Sequence, residues 1–94
     1  MVKILNKQVQ YFINKYNINT KIIPVSIIKY GMNVELEHGT EFPISNITND
    51  NLEMTFKITL AHLLEFPDYY QRLKKMEDNA EKYWKNKKKP SIFI

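Results

Sequence analysis

The sequence predicts an all-α fold, a small bundle of three to five helices ending in a C-terminal helical hairpin. Apolar residues recur three and four positions apart over three stretches, and turn residues and prolines separate those stretches. A chain of 94 residues encloses one core and not two, so residues 1–94 are read as a single domain, with 85–94 as a basic and apolar tail.

Within residues 3–16, Ile4, Leu5, Val9, Phe12, Ile13 and Tyr16 fall on one helical face, with Lys3, Lys7, Gln10, Asn14 and Lys15 mostly elsewhere. That is a first amphipathic helix. The run Asn17-Ile18-Asn19-Thr20 is turn-forming, and Pro24 suits the start of a second short element, Val25–Tyr30, punctuated by Gly31. Residues 31–38 admit two readings. Val34 and Leu36 alternate with Glu35 and Glu37 as in a short strand at 32–37, which would make the fold α+β, whereas Ile27, Ile28, Met32 and Leu36 form a helical stripe. Helix is the preferred reading.

Residues 39–48 read as a loop containing Pro43. Asp50 with Glu53 three positions later is a capping-box pattern, with Asp50 as the cap of a helix carrying Leu52, Phe56, Leu60, Leu63 and Leu64. This helix should stop at Phe66, because Pro67 disfavours helical geometry in its predecessor and suits the first turn of the next helix. The last helix is predicted over 67–87, with Tyr69/Tyr70, Leu73, Met76, Ala80, Tyr83 and Trp84 near a 3.5-residue repeat. Helices 51–66 and 67–87 are thus expected to form an antiparallel hairpin at the centre of the domain. Pro90 ends the second of them, leaving Ser91-Ile92-Phe93-Ile94 to dock on the body or on a partner.

Composition narrows the chemistry. With no cysteine there is no disulfide framework, thiolate nucleophile or cysteine zinc site, so a metal would need His, Asp or Glu. No apolar run of membrane-spanning length occurs, and the N-terminal stretch is interrupted by Lys, Asn and Gln, unlike a signal peptide; an intracellular protein away from membranes is expected. The net charge of +4 is local: Lys82, Lys85, Lys87, Lys88 and Lys89 carry five positive charges, leaving residues 1–81 with 9 basic and 10 acidic side chains, a net of −1. The body is not a basic surface, and nucleic-acid binding would fall to the tail alone. Ser26, Ser45 and Ser91 lie outside a nucleophile-elbow pattern, and Gly31 and Gly39, the only glycines, cannot build a phosphate loop.

Both histidines stand among carboxylates, in Glu35-Leu36-Glu37-His38 and in His62-Leu63-Leu64-Glu65. On a helix His62 and Glu65 share a face, and two such segments facing each other make a carboxylate–imidazole pocket. Helical bundles hold divalent metals with Glu and His at such spacings, so His38 and His62 are the candidate ligands, with a carboxylate as base. The alternative is that these histidines hydrogen-bond to acidic neighbours and hold helices together. Tyr69 and Tyr70 are adjacent, so if one packs in the core the other should point outward as an anchor for a partner.

Taken together, Gly-Met-Asn-Val-Glu-Leu-Glu-His-Gly-Thr at 31–40 and the stretch from Ile47 to Glu77 resemble a small domain of unknown function found in bacteriophages and giant DNA viruses. Its pattern is approximately G-hydrophobic-x-V-E-x-E-H-[TG], a loop, then I-A-x-x-H-L-x-E-x-P-x-Y-Y-x-x-L. The matching positions are Glu35, Glu37, His38, His62, Glu65, Pro67, Tyr69 and Tyr70. Where that family often carries Asp before the second His, this chain has Ala61, so no role needing an acid there is carried over. The resemblance implies a viral origin and makes the Glu/His/Tyr residues one unit, and it brings no activity with it. The expected function is that of a viral accessory protein, in the host cell or the virion, acting by binding a protein partner or by self-association. The alternatives are a small metal-dependent enzyme or metal-stabilised domain and nucleic-acid binding through Lys85, Lys87, Lys88 and Lys89.

Overall fold

A computed structural model describes residues 3–93, so Ile94, the last residue of the apolar tail, lies outside the described residues. Among those described there are four α-helices and no strand: α1 (Asn6–Lys15), α2 (Val25–Glu35), α3 (Leu52–Glu65) and α4 (Tyr69–Trp84). Single 3-10 turns at Leu36–His38 and Pro43–Ser45 lie between α2 and α3. The all-α expectation holds, and the alternative strand at 32–37 does not: those residues finish α2 and enter the first 3-10 turn.

α1 starts later than its apolar pattern does. Ile4 is buried but precedes the helix, Leu5 is largely exposed, and the Gln8 side chain accepts the Leu5 N–H at 2.8 Å to close the first turn. Val9, Phe12 and Ile13 face inward, and Phe12 stacks on Phe56 of α3 with ring centroids 5.1 Å apart. The chain leaves α1 through Asn17 at φ 55°, a left-handed conformation that Asn tolerates better than most residues.

α2 is the hub of the fold, packing against α1, α3 and α4. Gly31 does not punctuate it; the helix runs through that position to Glu35. The reason is close approach: a Cβ on Gly31 would lie 2.6 Å from Tyr70 Cε2 and 2.7 Å from the Thr59 methyl. The missing side chain lets α3 and α4 come up to α2, which outweighs the roughly 1 kcal/mol that glycine costs inside a helix. On α3 the facing residue is the small Thr59, buried like Thr55 one turn before it. Their hydroxyls donate to the carbonyls of Asn51 (2.8 Å) and Thr55 (3.0 Å), so no polar group is stranded.

The cap of α3 is Asn51, one residue beyond the expected Asp50. Asn51 Oδ1 accepts the Met54 N–H at 2.9 Å. Asp50 is left-handed at φ 61°, and its carboxylate instead accepts the N–H and hydroxyl of Thr40, closing the 39–50 loop. Glu53 is likewise diverted from the cap, accepting from Lys15 Nζ at 2.6 Å and the Tyr16 hydroxyl at 2.8 Å. At the other end Phe66 is extended, as a residue before proline prefers, but α4 begins at Tyr69 with Pro67 left in the turn.

The hairpin of α3 and α4 is not the centre of the molecule. The two helices touch, yet α4 gives the buried core a single side chain, Tyr70, with Tyr69 and Leu73 packed partly against it. Farther along α4 the half-buried residues are Glu77, Ala80 and Trp84, while Met76 and Tyr83 of the expected stripe are exposed. α4 stops at Trp84, so Lys85–Lys89 are outside it, and Ile92 and Phe93 are exposed. Among the described residues no helix is long and apolar enough to cross a membrane.

Candidate functional site

The motif residues meet around one carboxylate. Glu35 is the last residue of α2 and is 3% exposed, whereas Glu37, in the following 3-10 turn, points to solvent. In a strand the two would share a face; here helical winding sends one inward and the other outward. Glu35 Oε2 accepts the Tyr70 hydroxyl at 3.0 Å and lies 3.5 Å from His62 Nε2, and Glu35 Oε1 lies 3.4 Å from His38 Nε2. A carboxylate this buried needs such neighbours, since an uncompensated charge in the interior costs several kcal/mol.

Each partner is held by its own element. His38 ends the 3-10 turn, and its carbonyl accepts the N–H of both Ile47 (2.6 Å) and Thr48 (3.1 Å), which pins the loop that carries it. His62, near the end of α3, stacks flat on Tyr69 with ring centroids 4.2 Å apart and planes 9° apart. Its Nδ1 is 3.6 Å from Glu65 Oε1 and makes no hydrogen bond although it is shielded from solvent. Tyr70 sits edge-on to Tyr69 and to Tyr30. The structure therefore brings together Glu35, His38, His62, Glu65, Tyr69 and Tyr70, and leaves Glu37 at the rim.

Neither tyrosine is the outward anchor expected of one member of the pair. Tyr70 is wholly buried and Tyr69 is half-covered by His62, because α4 enters the body at its first turn and both rings are used there. Burial first, and the Glu35 charge second, push the Tyr70 phenol far above its ordinary range, so it stays a hydrogen-bond donor. Burial, then Glu35, Glu65 and Glu77, also raise Tyr69. The Glu37 carboxyl is pushed up by partial burial and by the like charges of Glu77 and Glu41.

Among the described residues no three His, Asp or Glu side chains are arranged to hold a metal ion; His38 and His62 each face a different oxygen of Glu35. In the lysine tail Lys87 Nζ lies 3.2 Å from the centre of the Tyr83 ring, and the Lys87 N–H donates to the Trp84 carbonyl at 3.0 Å.

A second feature has no counterpart in the motif reading. The turn after α1 and the outer face of α3 enclose an apolar groove of about 230 Å³, lined chiefly by Ile18, Ile22, Ile23, Leu60, Leu63 and Leu64. None of Glu35, His38 or His62 lines it. Ile22 and Leu64 stand at its rim, 65% and 76% exposed. The sequence carries a signal for it: Ile18 lies inside the expected turn at 17–20, Ile22 and Ile23 fall between that turn and Pro24, and Leu64 follows Leu63 on a helix that can bury only one of them.

No curated protein and no solved structure matches the chain. A family model described as a protein of unknown function, DUF5661, matches residues 7–79, reaching from α1 to the middle of α4 and beyond the motif at both ends. Most of the chain lies inside that match, and the chain belongs to the DUF5661 family.

Proposed function

We propose that this domain is a binding module, an accessory protein that engages a protein through its apolar groove and performs no chemistry of its own. The observation that carries this reading is the groove, with Ile22 and Leu64 open to water at its rim. Single exposed apolar residues are ordinary, but several around one concavity mark a surface that another molecule covers. Its volume of about 230 Å³ is below the roughly 300–1,000 Å³ of small-molecule sites and suits a few protruding side chains. In this reading the Glu35 cluster is structural, tying α2 to α3 and α4.

The finer setting belongs to the same proposal: a viral protein working in the host cell or the virion. Its supports are the motif resemblance over 31–77 and a composition of 13 Lys against one Arg, with 12 Ile and 10 Asn, the bias of an AT-rich genome.

The test is chemical cross-linking in cells producing either the intact chain or Leu64→Lys. Protein adducts are expected with the intact chain and should be lost in the variant, whose circular dichroism and melting temperature stay the same. Adducts unchanged in Leu64→Lys would overturn the groove as the binding surface. A nuclease-sensitive association lost on changing Lys85, Lys87, Lys88 and Lys89 to Gln, and indifferent to residue 64, would replace it with nucleic-acid binding.

A further inference from the structure

Resting on that reading, we propose that the partner is a second copy of this chain: the apolar segment at Ile92-Phe93 of one copy fills the Ile22–Leu64 groove of the other. Two unpartnered apolar features occur in the same molecule. The groove presents aliphatic walls of Ile18, Ile22, Ile23, Leu60, Leu63 and Leu64, and the segment after Pro90 leaves Ile92 88% and Phe93 64% exposed. The segment is short enough to be received, two adjacent large side chains for a groove sized for a few.

Charge complementarity favours a copy of the same chain over an unrelated partner. Among the described residues Lys and Arg pair only with Glu53, Asp68 and Asp78, so the exposed Glu37, Glu41, Glu65 and Glu81 and the half-buried Glu77 have no such partner. Glu65 adjoins Leu64 at the groove rim and is itself 60% exposed. Among the described residues Lys82, Lys85, Lys87, Lys88 and Lys89 form no ion pair, although Lys82 and Lys85 share a shallow cleft with Asp78 and Glu81 of their own helix face. They immediately precede the apolar segment, so seating Ile92-Phe93 in a groove carries the lysines of one copy toward the unpaired carboxylates of the other. Each copy has one segment and one groove, and reciprocal placement closes the assembly as a two-fold dimer.

Sedimentation velocity of the full chain across a wide concentration range tests this. The intact chain should pass reversibly from monomer to dimer, and raising the salt should weaken the association severalfold. The double change Ile92→Ser with Phe93→Ser, and separately Leu64→Lys, should each weaken it at least about tenfold, roughly the loss of one well-buried side-chain contact. An equimolar mixture of the two variants keeps one intact segment and one intact groove, and should recover a heterodimer weaker than the intact pair. A chain that stays monomeric at every concentration overturns the proposal, as does a dimer that neither variant weakens or that nuclease dissolves. A double variant that melts lower with no change of mass would show the segment seated in its own groove and would also overturn it. A monomeric chain that still loses cross-linked protein adducts in Leu64→Lys separates the cases: self-association fails and the binding reading stands.

Discussion

Two regions of this domain reverse the usual placement of polar and apolar groups, and they do so at different cost. At the end of α2 a carboxylate, Glu35, is almost sealed from water; at the end of α3 an aliphatic side chain, Leu64, is mostly in it. The buried charge is expensive alone and is tolerated because Tyr70 donates to it and two imidazoles flank it. The exposed leucine costs the free chain little, and what it forgoes is regained only when something covers it. A polar exception inside a core therefore reports on folding, whereas an apolar exception outside it, on the binding reading proposed above, reports on association. Variants that remove each exception should follow that division.

The largest effect is expected at Tyr70. Tyr70→Ala removes a fully buried aromatic ring and also strips Glu35 of its donor, and a loss of about 3–5 kcal/mol in urea unfolding is expected, a large share of the stability of a domain of this size. Tyr70→Phe keeps the ring and isolates the hydrogen bond, at a cost of about 1.5–3 kcal/mol. It should also change the alkaline limb of the stability curve. Unfolded, a tyrosine ionises near about pH 10; folded, burial and then Glu35 keep the proton on Tyr70 to much higher pH. Above that point the native state binds more protons than the unfolded one, so this contribution is whole below about pH 10 and is lost as pH rises. A melting curve against pH should therefore fall less steeply above about pH 10 in Tyr70→Phe than in the parent. Equal slopes would mean that the phenol is not held protonated.

A smaller effect is expected at Gly31→Ala, where two contributions compete. Alanine gains about 1 kcal/mol of helix propensity, but its Cβ would sit well inside contact distance of the Tyr70 ring and the Thr59 methyl. Both neighbours are buried and stiff, and overpacking of this kind costs about 1–3 kcal/mol, so a net loss of up to about 2 kcal/mol is expected. A stabilised Gly31→Ala would show that α2 can move away from α4 without penalty and that Glu35 is less tightly enclosed than its burial implies.

The same contacts explain what could be read before the structure. Helical periodicity locates α1, α3 and α4, because each keeps an apolar face where it meets the core, whereas α2 reads only as a short element at Val25–Tyr30 followed by a segment open to strand or helix. Gly31 looked like punctuation because a glycine in a helix is unfavourable unless another backbone or ring comes close, and that approach is a tertiary fact. Asp50 and Asn51 are equally good caps in sequence, and only the Thr40 hydroxyl and N–H drawing off the Asp50 carboxylate settles which one serves. On α4 the 3.5-residue stripe placed Met76 and Tyr83 inward. The strong core contacts end near Leu73, so the inward face farther along follows the geometry set at the first turn, through Glu77, Ala80 and Trp84. At the site, spacing grouped the Glu and His residues but could not tell Glu35 from Glu37, a choice that depends on whether the segment winds or extends.

The smallest effect on folding is expected at Leu64, and its neighbour makes it the sharpest comparison. Leu63 and Leu64 are consecutive on α3, about 100° apart around a helix of 3.6 residues per turn. That rotation leaves Leu63 8% exposed and Leu64 76% exposed. Leu63→Ala removes a buried side chain from the wall it shares with Phe56 and Ile28 and should cost about 2–5 kcal/mol. Leu64→Lys removes no enclosed side chain, keeps good helix propensity, and puts a positive charge in the last turn, where the helix dipole favours it. Its unfolding free energy should stay within about 0.5 kcal/mol of the parent while self-association weakens. If Leu64→Lys instead unfolded the domain, the rim of the groove would belong to the core, and the apolar exception, like the polar one, would report on folding.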